Sequence, residues 1–357
     1  MTAEPLRAAL EQRLERSWYR PSGAADAALR LLLAPLARIV QRAARSRRAR
    51  ITRLPAHGPG AQRPPVIVVG NLVAGGTGKT PLLIALAQAL RERGFTPGII
   101  ARGYRGGATA AGATLLVDSD TAAAAAGDEP VLLVQRTGCP VAVGRRRAAA
   151  LALLVERHPE CDVVLSDDGL QHVGLPRAVE LAVFDSRGAG NGRCLPAGPL
   201  REPLEHVQQM DAVLLNDTAT APAEHPRTFR SQTVALEMIG LDGASRWPAG
   251  AFAAATAANA PVAAIAGIGA PQRFFDLLQT IGLAFDAHRL ADHARIDPQW
   301  LARLPARWIV MTEKDAVKCR TFAAELRARC VALRIEARPE PALIDWLEET
   351  LRGPATA

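Results

Sequence analysis

One stretch limits this chain more than any other: Gly70-Asn71-Leu72-Val73-Ala74-Gly75-Gly76-Thr77-Gly78-Lys79-Thr80. It follows a short apolar run, Val66–Gly70 (VIVVG), and opens a segment, Thr80 to Arg93, with apolar residues at helical spacing. A buried strand, a glycine-rich turn and a helix in that order form a cradle for phosphate. Glycines let backbone N–H groups approach the anion, and the helix N-terminus adds its positive end. Lys79 is placed to reach the β- and γ-phosphates, and the Thr80 hydroxyl to bind Mg²⁺. The strict pattern has Gly or Ala six residues before the lysine, where this chain has Val73, but Gly75, Gly76 and Gly78 still supply the permissive backbone. The expected nucleotide contacts are therefore Val73, Ala74, Gly75, Gly76, Thr77, Gly78, Lys79 and Thr80, with ATP and Mg²⁺ as the cofactors.

Such a loop also needs an acid at the end of a neighbouring strand to hold the metal. Asp162-Val-Val-Leu-Ser-Asp167-Asp168-Gly169 supplies two, and the sequence does not decide which of them touches the ion. Further short apolar runs lie at Ile99–Ile100, Thr114–Val117, Val141–Val143, Leu181–Phe184 and Ala212–Leu215, with a helix expected at Arg145–Arg157. Continuous apolar strands between helices indicate a mainly parallel sheet covered on both faces. The expected fold is thus α/β: a P-loop NTPase-like parallel core with helices on both faces, plus a second, smaller α/β domain and an N-terminal amphipathic arm. The expected boundaries are 1–60 for the arm, 61–220 for the core, 221–261 for a linker with short strands, and 262–357 for the second domain. In that last domain we expect strands Val262–Ala266, Arg307–Met311 and Val331–Ile335, with helices Pro271–Ile281, Ala316–Arg329 and Ala342–Leu351.

The charge is uneven. Formal net charge is +8, and between Asp26 and Glu92 no acidic residue interrupts ten arginines and one lysine. Leu29 to Val40 (LRLLLAPLARIV) is apolar but punctuated by Arg30, Pro35 and Arg38, and the cluster Arg42, Arg45, Arg47, Arg48, Arg50 and Arg53 follows. Leucines beside arginines suit an interfacial helix on an anionic membrane, where each basic residue contributes about 1 kcal/mol. They suit equally a basic helix packed on the protein. Lysine is rare: only Lys79, Lys314 and Lys318 among 43 basic residues, which points to places that need a compact ammonium. Five scattered cysteines without a C-x-x-C pair argue against a disulfide framework and a structural zinc site. The N-terminus lacks a cleavable signal pattern and no apolar run is long enough to span a bilayer, so a cytoplasmic location is expected.

Fold alone does not name a substrate. Eight segments in order do more: VGNLVAGGTGKTP (Val69–Pro81), ARGYRG (Ala101–Gly106), GDEP (Gly127–Pro130), DDGLQH (Asp167–His172), DSRGAGNGRCLPAGPLREP (Asp185–Pro203), AGIGAPQRFF (Ala266–Phe275), ADH (Ala291–His293) and MTEKDAVKC (Met311–Cys319). Together they closely resemble the tetraacyldisaccharide 4′-kinase family. The resemblance implies ATP-dependent phosphorylation of the 4′-hydroxyl of an acylated glucosamine disaccharide 1-phosphate. It places the protein peripherally at the cytoplasmic face of the inner membrane, on its anionic surface, with the active site in a cleft between two α/β/α domains. It carries over Asp128 as the base that takes the hydroxyl proton, with His293 as its partner, and the arm as a membrane-associating segment. ADH is followed by Ala294 where the family often has a second histidine, so only His293 is carried over.

Around that core, Glu129 is a second candidate for metal or helix capping, Asp128 itself could cap the helix it opens, and Glu202 in LREP is a weaker third metal acid. Arg201 could pair with nucleotide phosphate through its fork, and Arg102 and Arg145–Arg147 are further anion candidates. Lys314 has two open readings, pairing with an acid or touching substrate. The long loop Asp185–Pro203 has the length and Gly/Pro content to frame an active site. The rival reading is a partitioning-type ATPase on membrane or DNA. It would carry a signature lysine just before the paired glycines, where this chain has Ala74, and no nucleic-acid module is evident. A soluble-sugar kinase would have no use for the arginine-rich arm. No nucleic acid and no obligate protein partner are expected.

Overall fold

The computed structural model describes residues 13–20, 22–56, 64–104, 106–218, 220–256 and 261–353. Residues 1–12, 21 and 57–60 of the expected arm, Arg105 of ARGYRG and 257–260 of the expected linker lie outside the described residues.

In chain order, helix α1 (Gly23–Arg48) precedes strand β1 (Val66–Gly70), helix α2 (Lys79–Glu92), β2 (Pro97–Ala101) and β3 (Leu115–Val117). Helix α3 (Asp128–Thr137), β4 (Val141–Val143), α4 (Arg147–Arg157), β5 (Val163–Asp167), β6 (Val179–Phe184) and β7 (Ala212–Asn216) follow. Then come β8 (Thr228–Gly240), β9 (Arg246–Pro248), α5 (Ala249–Thr256), β10 (Val262–Ala266), α6 (Pro271–Thr280) and β11 (Asp286–Arg289). The chain ends on β12 (Trp308–Thr312), α7 (Glu313–Lys318), β13 (Cys330–Pro339) and α8 (Pro341–Arg352). The residues divide into two compact units.

The first unit takes residues 1–79, 162–231 and 339–357. Its parallel strands run β5–β1–β6–β7, and β7 pairs with the start of β8. Every residue of β1, β5, β6 and β7 is buried, as a parallel strand covered on both faces requires. Val69 lies beside Asp167 on one side and Leu181 on the other, so the glycine-rich loop and the acid pair leave the same strand ends. In open parallel sheets those carboxyl ends are where ligands bind.

Helix α1 also belongs to this unit. It runs unbroken for 26 residues, with Pro35 inside it. Pro35 is exposed, and the lost backbone donor is offset by anchoring further along the helix. Arg45 binds Glu205, and Arg48 donates to the fully buried Glu180 at 2.9 Å, which Arg177 and Arg53 also pair. Buried ions tolerate the interior only when paired in this way. Over the middle turns Leu31, Leu32, Leu36 and Ile39 are exposed. The helix is thus fastened at its C-terminal end and apolar toward solvent over its middle.

The second unit takes residues 80–161 and 232–338. It holds β2–β4–β3, with β3 antiparallel, and the parallel set β11–β10–β12–β13. Two apolar clusters sandwich the second set, one around Phe252, Phe275 and Val331, the other around Ile265, Ile309 and Met311. Three ion pairs join α3 to α7: Glu129 with Lys314, Arg136 with Glu313 at 2.6 Å, and Asp128 with Lys318.

Two stretches differ from expectation. The segment read as a linker with short strands carries the 13-residue β8 and the helix α5. Exposure alternates at 228–231, the period of a strand with one buried face. The helix expected at Ala316–Arg329 is two short pieces, α7 and a turn at Ala324–Arg327. The Thr312 side chain caps α7 three residues earlier than expected by accepting the Asp315 N–H, and Cys319 turns into the core where α7 stops.

Candidate active site

The phosphate loop is built as a cradle. Gly75 and Gly78 sit at φ +92° and +79°, conformations that glycine adopts without cost. No atom lies within 4 Å of where a Gly76 side chain would begin, so the backbone there is open to approach. The loop is held from below: Asn71 Nδ2 donates to the Gly75 carbonyl at 3.0 Å, and Asn216 Nδ2 to that of Thr77 at 3.2 Å. The Thr77 hydroxyl is buried and has no hydrogen-bond partner among the described residues. Val73 and Ala74 are tied to the Asp185–Pro203 loop, through a bridge to Leu200 and an Ala74 N–H bond to the Pro199 carbonyl at 2.8 Å. That loop therefore packs against the start of the glycine-rich loop. It also delivers Arg187, which donates to the Gly76 carbonyl and is braced by the buried Asp185 at 2.8 Å.

Lys79, Asp168 and Arg201 come together. Asp168 lies 3.3 Å from Lys79 Nζ and takes Arg201 on both oxygens, at 3.0 and 2.8 Å. Desolvation would raise the Asp168 carboxyl, but Lys79 and then Arg201 hold it well below the usual carboxylate range. Asp168 also sits at φ +50°, a conformation that aspartate tolerates better than most residues. Asp167, at the end of β5, is buried. Thr80, next to Lys79 in the chain, is buried in the first turn of α2. Glu202 is placed differently from a metal ligand facing the loop. Gln171 Nε2 donates to one oxygen at 2.7 Å and the other meets His206 Nδ1 at 2.8 Å. Among the described residues no cluster of three or more His, Cys, Asp or Glu is arranged to hold a metal. Mg²⁺ takes one or two carboxylates and completes its shell with phosphates and water, and Asp167 and Asp168 leave the strand beside the glycine loop.

The second group lies in the other unit. Asp128 is the first residue of α3, its Oδ1 accepting the Glu129 N–H at 2.9 Å; the N-cap position is Gly127 and no side chain caps this helix, so Asp128 is not the cap. Both its oxygens lie 3.0 Å from His293 Nδ1. The pair is made across 165 residues of chain and is 6 % exposed at Asp128. Burial would raise the Asp128 carboxyl, but the His293 hydrogen bond and the charges of His293, Lys318 and Lys314 keep it below its usual value. His293 moves the other way: the Asp128 hydrogen bond raises its pKa above 6.5 against the effect of burial. His293 is held at φ +55°, and the Tyr104 ring packs 5.3 Å from its own. Non-glycine residues in this conformation cluster where function imposes it.

The remaining candidates separate cleanly. Lys314 pairs with Glu129, so its acid-pairing reading holds. Arg102 lies over the Tyr104 ring, Arg145 and Arg146 are exposed, and Arg147 is buried with a bond to the Gly144 carbonyl. Sequence reasoning missed Arg187, Gln171, His206 and Lys318 as parts of these groups. Only the scarcity of lysine pointed toward the last.

A parallel α/β core with a glycine loop, a lysine and strand-end acids defines a P-loop nucleotide-binding protein. The chain matches the family model described as tetraacyldisaccharide-1-P 4′-kinase over residues 29–352, and it belongs to that family. A tetraacyldisaccharide 4′-kinase of Azotobacter vinelandii is 43 % identical over 345 residues, covering 96 % of this chain and 98 % of the relative. One from Ectopseudomonas mendocina is 44 % identical over 347 residues, covering 95 % and 96 %. Among solved structures, LpxK from Aquifex aeolicus, described as an apo form in complex with ATP, matches with a TM-score of 0.72 at 24 % identity. It covers 90 % of this chain and 99 % of that one, and supports the fold.

Proposed function

We propose that this chain is a kinase that transfers the γ-phosphoryl group of ATP to the 4′-hydroxyl of tetraacyldisaccharide 1-phosphate. The observation that carries the reading is the Asp128–His293 pair, a buried base beside an oriented imidazole, in a chain that also holds a phosphate loop. Gly75 to Thr80 would hold the triphosphate, with Lys79 on the β- and γ-phosphates and Arg201 and Arg187 beside it. Thr80, Asp167 and Asp168 are the groups that would hold Mg²⁺, which supplies charge neutralisation on the transferring phosphoryl. Lys79 and Arg201 are already gathered by Asp168, so two cations stand ready for the anion at no cost of ordering.

A sugar hydroxyl is a poor nucleophile near neutral pH. Asp128 accepts its proton as the 4′ O–H bond breaks, while the oxygen's electron pair forms the bond to phosphorus and the bond to the β-phosphate oxygen opens. His293 fixes the carboxylate and, with its raised pKa, stabilises its ionised form. The exposed Leu31, Leu32, Leu36 and Ile39, on a helix that ends in arginines, support peripheral binding to an anionic membrane, read as the cytoplasmic face of the inner membrane. Among the described residues no helix is long and apolar enough to cross one.

Phosphate transfer from labelled ATP to tetraacyldisaccharide 1-phosphate in detergent micelles tests the reading. Label at the 4′ position is expected. ATP hydrolysis without label in the lipid, stimulated by DNA or bare membrane, would favour a partitioning ATPase instead.

A further inference from the structure

We propose that Lys318, held by Asp315, is a positioning residue for phosphoryl transfer that fixes the orientation and charge of the Asp128 carboxylate beside His293. The proposal rests on the reading of Asp128 as the base.

Lys318 Nζ lies 2.8 Å from Asp315 Oδ1 and 3.6 Å from Asp128 Oδ2, with its side chain 14 % exposed. Asp315 is fully buried, and its second oxygen accepts the Gly267 N–H at 2.9 Å and the Thr312 hydroxyl at 2.7 Å. The Gly267 carbonyl in turn accepts the backbone N–H of His293 at 2.9 Å. The contacts close on themselves: Asp128 to His293, His293 to Gly267, Gly267 to Asp315, Asp315 to Lys318, Lys318 to Asp128. A side chain on Gly267 would begin 2.9 Å from Asp315 Oδ1, so the approach needs glycine there. One buried acid thus holds the loop that carries His293 and the cation that faces Asp128.

A helix-surface ion pair would not require this. Asp315 and Lys318 are three residues apart on α7, and such pairs usually stand in water. Here one member is fully buried and the ammonium reaches past it to the base. This chain uses arginine at 40 of 43 basic positions yet has lysine here, where its ammonium lies between two carboxylates. The groups facing Asp128 are His293 from the loop after β11, Lys318 and Lys314 from α7, and Glu129 on its own helix; Asp292 lies beyond, 3.6 Å from His293 Nε2. With Glu129 N–H and His293 on one oxygen, and Lys318 and His293 on the other, the carboxylate plane is fixed.

The test is the pH profile of kcat/KM for the lipid, measured on the full chain. An opposite charge at this range lowers a carboxyl pKa by about 1 to 3 units. Lys318→Met should therefore move the acid limb upward by about 1 to 3 pH units, while Lys318→Arg keeps the limb at the wild-type position. Since Lys318→Met strands a buried acid, Lys318→Met combined with Asp315→Asn gives a neutral pair that preserves the fold, and its limb should also move upward. A limb that stays put in both Met variants, with only thermal stability reduced, overturns the proposal. Asp128→Asn separates the two readings. If it abolishes transfer while the limb is unmoved in the Lys318 variants, Asp128 remains the base and Lys318 is structural; if it turns over normally, the base and the proposal fall together.

Discussion

The phosphate loop and the Asp128–His293 group are built on opposite plans. The loop is local: eleven consecutive residues supply its backbone, and glycines do most of the work. The Asp128–His293 group is assembled from GDEP, ADH and MTEKDAVKC, segments up to about 190 residues apart, and is made of side chains in a buried ion network. Charge runs differently too. In the first unit two cations share one acid, Asp168, which leaves positive charge for an anion. In the second, Asp128 is met by an imidazole and an ammonium that hold its carboxyl below its usual value against the effect of burial. A loop that binds an anion by its main chain can be read from a local motif, whereas a base tuned by its neighbours exists only once the chain has folded.

The largest expected effect breaks the comparison on the side-chain plan. Asp128→Asn removes the acceptor and should lower kcat by roughly 10²- to 10⁴-fold with ATP affinity little changed. Steady-state kinetics with both substrates varied will show it. Next, Lys79→Ala removes a charge aimed at the transferring phosphoryl and should cost about 10²- to 10³-fold in transfer, with weaker nucleotide binding seen by calorimetry.

A smaller effect tests the helix that belongs to neither group. Leu32→Glu together with Leu36→Glu removes two exposed apolar side chains from the face opposite the Glu180 anchor. If each contributes about 1.5 kcal/mol on burial in lipid, partition onto anionic vesicles should fall at least tenfold while transfer to a substrate in micelles barely changes. Deleting the whole arm would be a poorer experiment, because it would leave Glu180 buried without Arg48 and Arg53.

The smallest effect is thermodynamic. His293 is raised above 6.5, so its contribution to stability is full below that value and fades as pH climbs through the raised one. Asp128 is lowered below 3.8, so its contribution is full above that value and fades as pH falls through the lowered one. The pair therefore stabilises most between 3.8 and 6.5. The gap in Tm between the parent chain and Asp128→Asn should be wider at about pH 5.5 than at about pH 8.5. A gap independent of pH would mean that His293 does not titrate against Asp128.

The same contrast explains what could be read in advance. β1, β4 and β10 fall where apolar runs place them, because a fully buried parallel strand is a continuous apolar word. β8 was hidden because only four of its thirteen residues are buried, so it carries no continuous apolar run. The glycine loop and Lys79 are a motif with a mechanism. Asp128 and His293 were reached through family resemblance, and no spacing rule joins them. His206, Arg187 and Arg177 each pair with an acid two to four residues away, but a local charge pair does not say whether it will be buried, and the distant partners of Glu180, Arg48 and Arg53, leave no local trace at all.

The division of labour is tested most directly by measuring ATP affinity and a single turnover of labelled phosphate in the same two variants. The account predicts that Asp128→Asn binds ATP like the parent and fails to transfer, while Lys79→Ala loses affinity for ATP as well as transfer. Asp128→Asn turning over at the parent rate, or losing ATP as Lys79→Ala does, would contradict it.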